Sequence, residues 1–319
     1  MTSDRAAKQS RFRKLIPLIA FLLSACGGGG GSTQSPIYVD INQQAKIDSS
    51  SAEGYLYGLR LWFSTTLTET VTSLFIDGTL TFQTGNINLT VQNLCGGSVT
   101  ISGTLDETAA SGTLTLNLSN YQACAWNYTY AFSGSIDLTI YNTEEYAPAG
   151  NITIPSAFLL SMNNLMIALA SESFQLDGTI EYAHDMSDPD FDTIALTKNY
   201  TLSNSLGAFT YTNFTYKQHY TNKGRVSPSG YTSVSCTGRM YDSDSGYVDV
   251  ATVNAAAMCE AGGAGVCPLD MTNVGRIELV GDSSTALIQF GSNLDNISID
   301  ADGNGTYEQQ IQCNFDGCL

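Results

Sequence analysis

Basic residues are scarce in this chain. Its 319 residues include 13 lysines and arginines against 30 aspartates and glutamates, which gives a formal net charge of −17. Five of the basic residues and one acid fall within the first 25 positions, so the remaining 294 residues hold 8 basic and 29 acidic residues. Because nucleic-acid binding and docking on anionic lipids both need clustered lysine and arginine, this composition excludes a nucleic-acid partner and argues against electrostatic lipid docking.

Histidines and familiar catalytic motifs are equally rare. Only His184 and His219 occur, and there is no Gly-x-Ser-x-Gly elbow, P-loop or His-Glu-x-x-His motif. His219 lies among alternating aromatics and is expected on the wet face of a strand. The acidic stretch His184–Asp192 has the composition of a metal site with one imidazole, but a solvated loop between strands is the preferred interpretation. We therefore expect no enzymatic activity.

The N-terminus has the pattern of an export signal. Three basic residues between positions 11 and 14 precede the apolar run Leu15–Leu23, which is too short to span a bilayer. The run ends in Leu23-Ser-Ala-Cys26, which resembles the lipobox of bacterial lipoproteins. The resemblance implies a signal peptide over residues 1–25, cleavage before Cys26 and acylation of that cysteine. In Gram-negative lipoproteins an aspartate after the cysteine favours inner-membrane retention, so Gly27 suggests the outer membrane.

A flexible tether follows the lipobox. Residues 26–36 are rich in glycine and serine and offer no side chain that builds a core. About ten such residues reach roughly 16–19 Å on average, which lets a folded body stand off the headgroups. The best internal boundary is Thr221–Gly230, which combines glycine, proline and serine. It separates a predicted β-repeat domain (37–222) from residues 231–319, which form a second β domain or continue the same sheet.

Alternation of apolar and polar residues predicts antiparallel strands. In Gly78–Phe82, Ile87–Val91 and Gly112–Leu118, apolar residues alternate with threonine and asparagine. This period of two, with one wet face, is typical of half-buried antiparallel strands. Ser156–Ala170 also fits a helical stripe, but a strand is the preferred interpretation, with Asn163-Asn164 as a candidate turn.

The sequence also repeats itself. Forty-four residues separate Asn120 from Asn164 and Gly134 from Gly178, and a looser third copy covers residues 212–240. Strand units that cannot bury their apolar face alone must stack on their neighbours. We therefore predict an all-β fold, an antiparallel meander with imperfect repeats of about 44 residues, either closed as a sandwich or wrapped as a half-barrel.

Aromatic residues cluster in two further segments that are interpreted as strands. Tyr55–Phe63 and Phe209–Tyr220 are rich in tyrosine and phenylalanine. Their rings are expected to pack in the core and across strands. Only an exposed row of rings would favour the alternative, a platform on which sugars stack.

Seven cysteines remain after Cys26, and an exported chain meets an oxidising compartment in which disulfides form. Because seven is odd, at least one cysteine is unpaired or bonds another molecule. The predicted strands Ser98–Leu105 and Gly112–Leu118 form a hairpin centred on residue 109 or 110, which brings Cys95 opposite Cys124. This geometry predicts a cross-strand disulfide between those two cysteines.

A candidate calcium turn lies near the C-terminus. Asp300, Asp302 and Asn304 alternate as the first three oxygen ligands of an EF-hand loop do, and a glycine follows them. The twelfth loop position is Ile311 rather than the usual glutamate, so Glu308 or a water would have to complete the shell. The alternative is a plain β-turn.

The segment from Gly246 to Glu308 resembles the ends of uncharacterised β-rich lipoproteins of proteobacteria, and no activity is implied by that resemblance. The sequence as a whole predicts a lipid-anchored outer-membrane lipoprotein that faces the periplasm or the cell surface and has a non-enzymatic structural or binding role. Its lipid contacts the membrane, and its protein or ligand partner is left open. Two alternatives remain: a half-barrel carrier of a hydrophobic ligand and a secreted hydrolase that uses carboxylates.

Overall fold

The computed structural model describes residues 39–59, 63–93, 95–122, 130–146, 152–169, 172–185, 192–205, 207–220, 232–254, 256–258, 275–289, 295–314 and 317–318. In these ranges no helix has both the length and the apolarity needed to cross a membrane. Among the described residues, two helices precede sixteen strands: α1 (Ser49–Leu59), α2 (Phe63–Ile76), β1 (Gly85–Gln92), β2 (Ser98–Asp106), β3 (Ser111–Gln122), β4 (Tyr130–Tyr146), β5 (Ile152–Leu169), β6 (Glu172–Asp185), β7 (Asp192–Ser203), β8 (Ala208–Tyr220), β9 (Thr232–Asp242), β10 (Gly246–Asn254), β11 (Ala256–Met258), β12 (Arg276–Gly281), β13 (Ser284–Gln289), β14 (Asp295–Asp300), β15 (Gln309–Asn314) and β16 (Gly317–Cys318).

The strands form one antiparallel meander, which confirms the predicted all-β fold. Each strand pairs with the next along the chain, except that β10 pairs with β12 while the short β11 pairs with β9. Within the described ranges the sheet is not closed, and β1 and β16 are its two edges. Pairing of β8 with β9 joins the two parts of the chain in this sheet. The proposed boundary Thr221–Gly230 lies outside the described residues, and the division into two domains stays a prediction.

One predicted strand is wrong. Gly78–Phe82 is the turn and the irregular segment that follow α2, because the amide of Leu80 donates to the carbonyl of Leu74 at 2.7 Å and Gly78 has a φ of +76°. A residue with positive φ just after the last helical turn is a common helix C-cap. The strand that follows starts at Gly85 and contains the predicted Ile87–Val91.

The 44-residue repeat has a structural cause. Asn120, Asn164 and Asn213 all have a positive φ between 47° and 54°, and each lies where the register with the following strand shifts. Gly134 and Gly178 pair with the residues just before the first two shifts. Asn164 is therefore part of a β-bulge inside β5, and the turn predicted at Asn163-Asn164 is wrong. Bulges bend a strand and increase its twist, so their recurrence curves the sheet.

Two glycines sit where the neighbouring backbone leaves no space for a side chain. A Cβ on Gly178 would lie 2.3 Å from the carbonyl oxygen of Asn199, and one on Gly238 would lie 2.5 Å from that of Asn213. Both glycines also have φ values above 125°. These positions therefore require glycine for conformation and for close strand approach.

The segment predicted as an aromatic strand around Tyr55 is helical. Asp48 caps α1, since its carboxylate accepts from the amide of Ser51 at 2.9 Å and its own amide donates to the Ser51 hydroxyl at 2.9 Å. This reciprocal pair is a capping box. Ala52, Tyr55 and Leu56 then share one buried face at helical spacing. Trp62 lies outside the described residues, and α2 begins at Phe63.

The sheet wraps around α1. The Tyr55 hydroxyl donates to the carbonyl of Gly246 at 2.8 Å, and the Tyr211 hydroxyl donates to the carbonyl of Gly58 at 2.7 Å. The helix also contacts β9 and β15, which lie five strand spacings apart in the sheet order. In a flat sheet that distance would be roughly 24 Å, about twice the diameter of a helix, so the sheet must curl. The arrangement corresponds to the wrapped alternative, with helices in place of a second sheet.

An N-terminal segment closes one end of the wrapped sheet. The amide of Val39 donates to the carbonyl of Ser243 at 2.8 Å, and the amide of Ala45 donates to that of Tyr247 at 2.8 Å. Farther along, the Ala45 carbonyl accepts from the amide of Asp282 at 2.7 Å. We call this the Val39 end, and the opposite end, where β6 ends and β7 begins, the far end.

Candidate functional site

The candidate calcium residues lie in a turn between β14 and β15 at the Val39 end. We call Asp300–Glu308 the acidic turn. The carboxylate of Asp300 accepts backbone hydrogen bonds from Gly303 at 2.7 Å, Asn304 at 3.1 Å and Gly305 at 2.8 Å. Burial disfavours the charged carboxylate, but these donors outweigh it and lower the pKa of Asp300. The turn is thus organised around an ionised Asp300.

The acidic turn brings three of its carboxylates together. In the described part of the chain, one oxygen each from Asp300, Asp302 and Glu308 lie within 4.8 Å of one another. The Asn304 side chain turns its amide nitrogen to Glu308 at 3.2 Å, while its oxygen accepts from the amide of Thr306 at 2.7 Å. Calcium binding stays a prediction for this turn, and Asn304 would have to rotate to take part in it.

A second polar cluster lies buried at the far end of the sheet. His184 is 3 % exposed, and its Nδ1 lies 2.5 Å from Oε1 of Glu144, which is 11 % exposed. Its Nε2 lies 3.9 Å from Oδ2 of Asp192, which is fully buried. The interpretation of His184 as part of a solvated loop is therefore wrong for the imidazole itself. The acidic residues Asp188 and Asp190 lie outside the described residues.

The strand pattern explains why His184 is buried. In β6 the residues Ile180 and Tyr182 face the core, and His184 follows at the next position of the same face. Asp192 likewise opens the run of buried alternate positions in β7. Counting every second residue along β6 and β7 would have identified both positions. Glu144 follows three register irregularities in β4, so such counting gives no signal for it.

A buried lysine is the site feature that sequence analysis missed. Lys198 is 6 % exposed, and its ammonium lies 5.5–5.6 Å from the ring centroids of Tyr211, Phe214 and Tyr216. Burial lowers the pKa of Lys198 to about 8. Burial also raises the pKa of the nearby Cys236 thiol to about 11, and this cysteine is free. The signal was a lysine at an inward position of an alternating apolar strand.

The cysteines are partly accounted for. A disulfide joins Cys313 to Cys318, and Cys95 is disulfide-bonded. Cys124 lies outside the described residues, as does the lipidation candidate Cys26. The amide of Gln122 donates to the carbonyl of Gly96 at 3.0 Å, so the end of β3 lies against the residue that follows Cys95. The Cys95–Cys124 pairing stays a prediction that this geometry suits.

The aromatic segments form core rather than a platform. Tyr211, Phe214 and Tyr216 of β8 are buried, as is Tyr55 of α1. On the outward face of β8, the Nδ1 of His219 lies 2.9 Å from the Thr193 hydroxyl, which agrees with the expected wet position. The sugar-stacking alternative therefore has no exposed row of rings among the described residues of these two segments.

Three arrangements thus contain groups that can bind an ion or exchange a proton. They are an acidic turn with convergent oxygens, a buried imidazole between two carboxylates, and a lysine held among aromatic rings. Comparison with known proteins adds no assignment to them. The chain matches no protein-family model, no curated protein and no solved structure.

Proposed function

We propose that this chain is a lipid-anchored outer-membrane lipoprotein whose β body has a structural or binding role and no catalytic activity of its own. The observation that carries the proposal is the lipobox ending in Cys26, followed by a glycine-rich tether. The structure supports it with a folded body whose first described residue, Val39, is fixed at one end of the sheet. The acidic body then stays off the anionic headgroups while acyl chains supply the membrane affinity.

The main alternative, a carrier of hydrophobic ligands, would hold its ligand on the inner face of the curled sheet. Helix α2 lies on that face, and its Leu67, Leu74 and Phe75 are each at most 2 % exposed. A depression of about 520 Å³ at the ends of β1–β4 is lined largely by threonine, asparagine and glycine. Because apolar ligands bind in apolar cavities, these features favour a structural or binding body over a carrier.

The hydrolase alternative needs carboxylates that a substrate can reach. Glu144 and Asp192 are the carboxylates that converge on a histidine; Asp192 is fully buried, and the Glu144 side chain is 11 % exposed. Glycosidase carboxylates flank a bond of a substrate bound in an accessible cleft. The buried cluster does not have that geometry, which supports a role without catalysis.

Acylation of Cys26 is the decisive test. In a bacterial host grown with an alkyne fatty-acid probe, the wild-type chain should be labelled and Cys26→Ala should not be. Cys236→Ala is the matched control, since it removes a free buried thiol and should keep the label. Full labelling of Cys26→Ala would refute the lipoprotein proposal.

Membrane sorting tests the location separately. On a density gradient of Gram-negative membranes, the wild-type chain should fractionate with the outer membrane, and Gly27→Asp should move it towards the inner membrane. Gly28→Asp serves as a control one residue farther along the tether. Wild-type protein in the inner-membrane fraction would contradict the outer-membrane assignment while leaving the lipid anchor intact.

A further inference from the structure

The imidazole of His184 has one nitrogen whose role the fold leaves unexplained. Its Nδ1 pairs with Glu144 at 2.5 Å, but its buried Nε2 has no hydrogen-bond partner among the described residues. Buried polar atoms in proteins nearly always have a partner, which can be a protein group, a water or an ion. The Asp192 carboxylate lies beside it, with Oδ2 3.9 Å away, beyond hydrogen-bond distance.

Glu144 determines which imidazole nitrogen can act as a ligand. A carboxylate that accepts from Nδ1–H fixes the tautomer in which Nε2 carries a lone pair. That lone pair then faces the carboxylate of Asp192, and both side chains are buried. Histidines that bind metals usually donate their other ring N–H to a carboxylate, a carbonyl or a water, which is the role that Glu144 would have for His184.

We propose that Nε2 of His184 and the carboxylate of Asp192 bind a divalent transition-metal ion, with Zn²⁺ as the best fit, and that Glu144 orients the imidazole. Zinc bonds to nitrogen and oxygen of about 2.0–2.2 Å at tetrahedral angles place the two ligand atoms roughly 3.4 Å apart. The separation of 3.9 Å therefore needs to contract by only about 0.5 Å. Water ligands complete the shell.

The proposed site differs from the acidic turn in position and chemistry. It joins the end of β6 to the start of β7 at the far end, while the acidic turn lies at the Val39 end. An imidazole nitrogen selects zinc and similar ions, whereas carboxylates and carbonyls alone suit calcium and magnesium. The ion would link strands β6 and β7 through one ligand from each.

The chain has only two histidines, so the test can use the unmodified protein. A long-range ¹H–¹⁵N spectrum should show two imidazoles, and stoichiometric Zn²⁺ should shift the Nε2 resonance of His184 and leave His219 unchanged. Co²⁺ in place of Zn²⁺ should give visible d–d absorption bands that saturate at one ion per chain. If Zn²⁺ shifts neither nitrogen and both carry protons, a proton occupies the site and the proposal is overturned.

Variants measured by Zn²⁺ titration separate the roles of His184 and Glu144. His184→Gln should abolish the tight site, while Glu144→Gln should weaken Zn²⁺ affinity by about 10–100-fold, as loss of an orienting carboxylate does. His219→Gln is the matched control and should bind as the wild type does. Equal affinities in His184→Gln and His219→Gln would show that the ion binds elsewhere on this acidic chain. Circular dichroism establishes that each variant is folded before titration.

Discussion

Replacing Lys198 by methionine should stabilise the protein at neutral pH. Methionine keeps an unbranched apolar stem in the space between the aromatic rings and removes the buried ammonium. The Lys198 pKa falls from 10.5 to about 8 because of burial, a difference that corresponds to about 3 kcal/mol of unfolding free energy. The three rings at 5.5–5.6 Å stabilise the ammonium and reduce the net gain, so about 3 kcal/mol is an upper limit.

The stability difference between the wild type and Lys198→Met should depend on pH. Below pH 8 Lys198 is charged in both folded and unfolded states, so the wild type carries the full cost of burying the charge. As pH rises from 8 to 10.5 the folded lysine is already neutral while the unfolded one is still charged, and the cost disappears. The Cys236 thiol acts oppositely above pH 9, because its pKa is raised to about 11; the Lys198 ammonium lowers that pKa, so the two proteins are compared most directly below pH 9.

Urea unfolding at several pH values between 7 and 10 measures the effect. The free-energy advantage of Lys198→Met should be largest at pH 7 and should shrink steadily above pH 8. Lys217→Met, on the exposed face of β8, is the control and should change stability by less than about 0.5 kcal/mol. An advantage for Lys198→Met that is constant from pH 7 to pH 10 would refute the argument that burial displaces the lysine's titration.

Three further outcomes are expected. Gly178→Ala should cost at least about 1–3 kcal/mol in urea unfolding, and Gly85→Ala, which also has a positive φ but no atom within 4 Å of a new Cβ, should cost less; equal losses would contradict the backbone clash. Millimolar calcium should raise the melting temperature of the wild type, and magnesium should not replace it. The rise should be much smaller in a variant in which both aspartates of the acidic turn (Asp300–Glu308) are asparagines. Identical shifts in the two proteins would mean that this segment is only a turn. Non-reducing peptide mapping should link Cys95 to Cys124, a loop of about 30 residues that the chain-entropy model values at roughly 3–4 kcal/mol; Cys95 linked to another cysteine would overturn the pairing.

Strand pairing was the most predictable part of the fold. Alternation identifies β1 and β3, because a half-buried antiparallel strand shows its two faces directly in the residue order. The helices were missed because Tyr55 and Tyr57 alternate with Leu56 as strand residues do. The stronger signal was the capping box formed by Asp48 and Ser51, which is a property of helix starts and not of apolar periodicity.

The acidic turn is formed by residues close together in the sequence, whereas the buried cluster is formed by residues far apart in it. The acidic turn is contained within nine residues, so spacing alone indicated that its carboxylates converge. The cluster joins Glu144 of β4 to His184 of β6 across an intervening strand, and a bulge on the way shifts the register. Each register shift moves the following side chains to the other face of the sheet. The face on which Glu144 lies therefore cannot be predicted from the sequence unless the positions of the bulges are known.

The contacts of the N-terminal segment impose an order on folding. Most strands pair with their immediate neighbours in sequence, so the meander can add hairpins one at a time as the chain folds. The backbone of Ala45 bonds to residues some two hundred positions later, namely Tyr247 and Asp282. In the order of synthesis this segment is therefore among the first described residues to emerge and among the last to meet its native partners. Until β10 and the turn after β12 have formed, α1 and α2 already offer their apolar faces, and such transiently exposed apolar surface favours aggregation or chaperone binding.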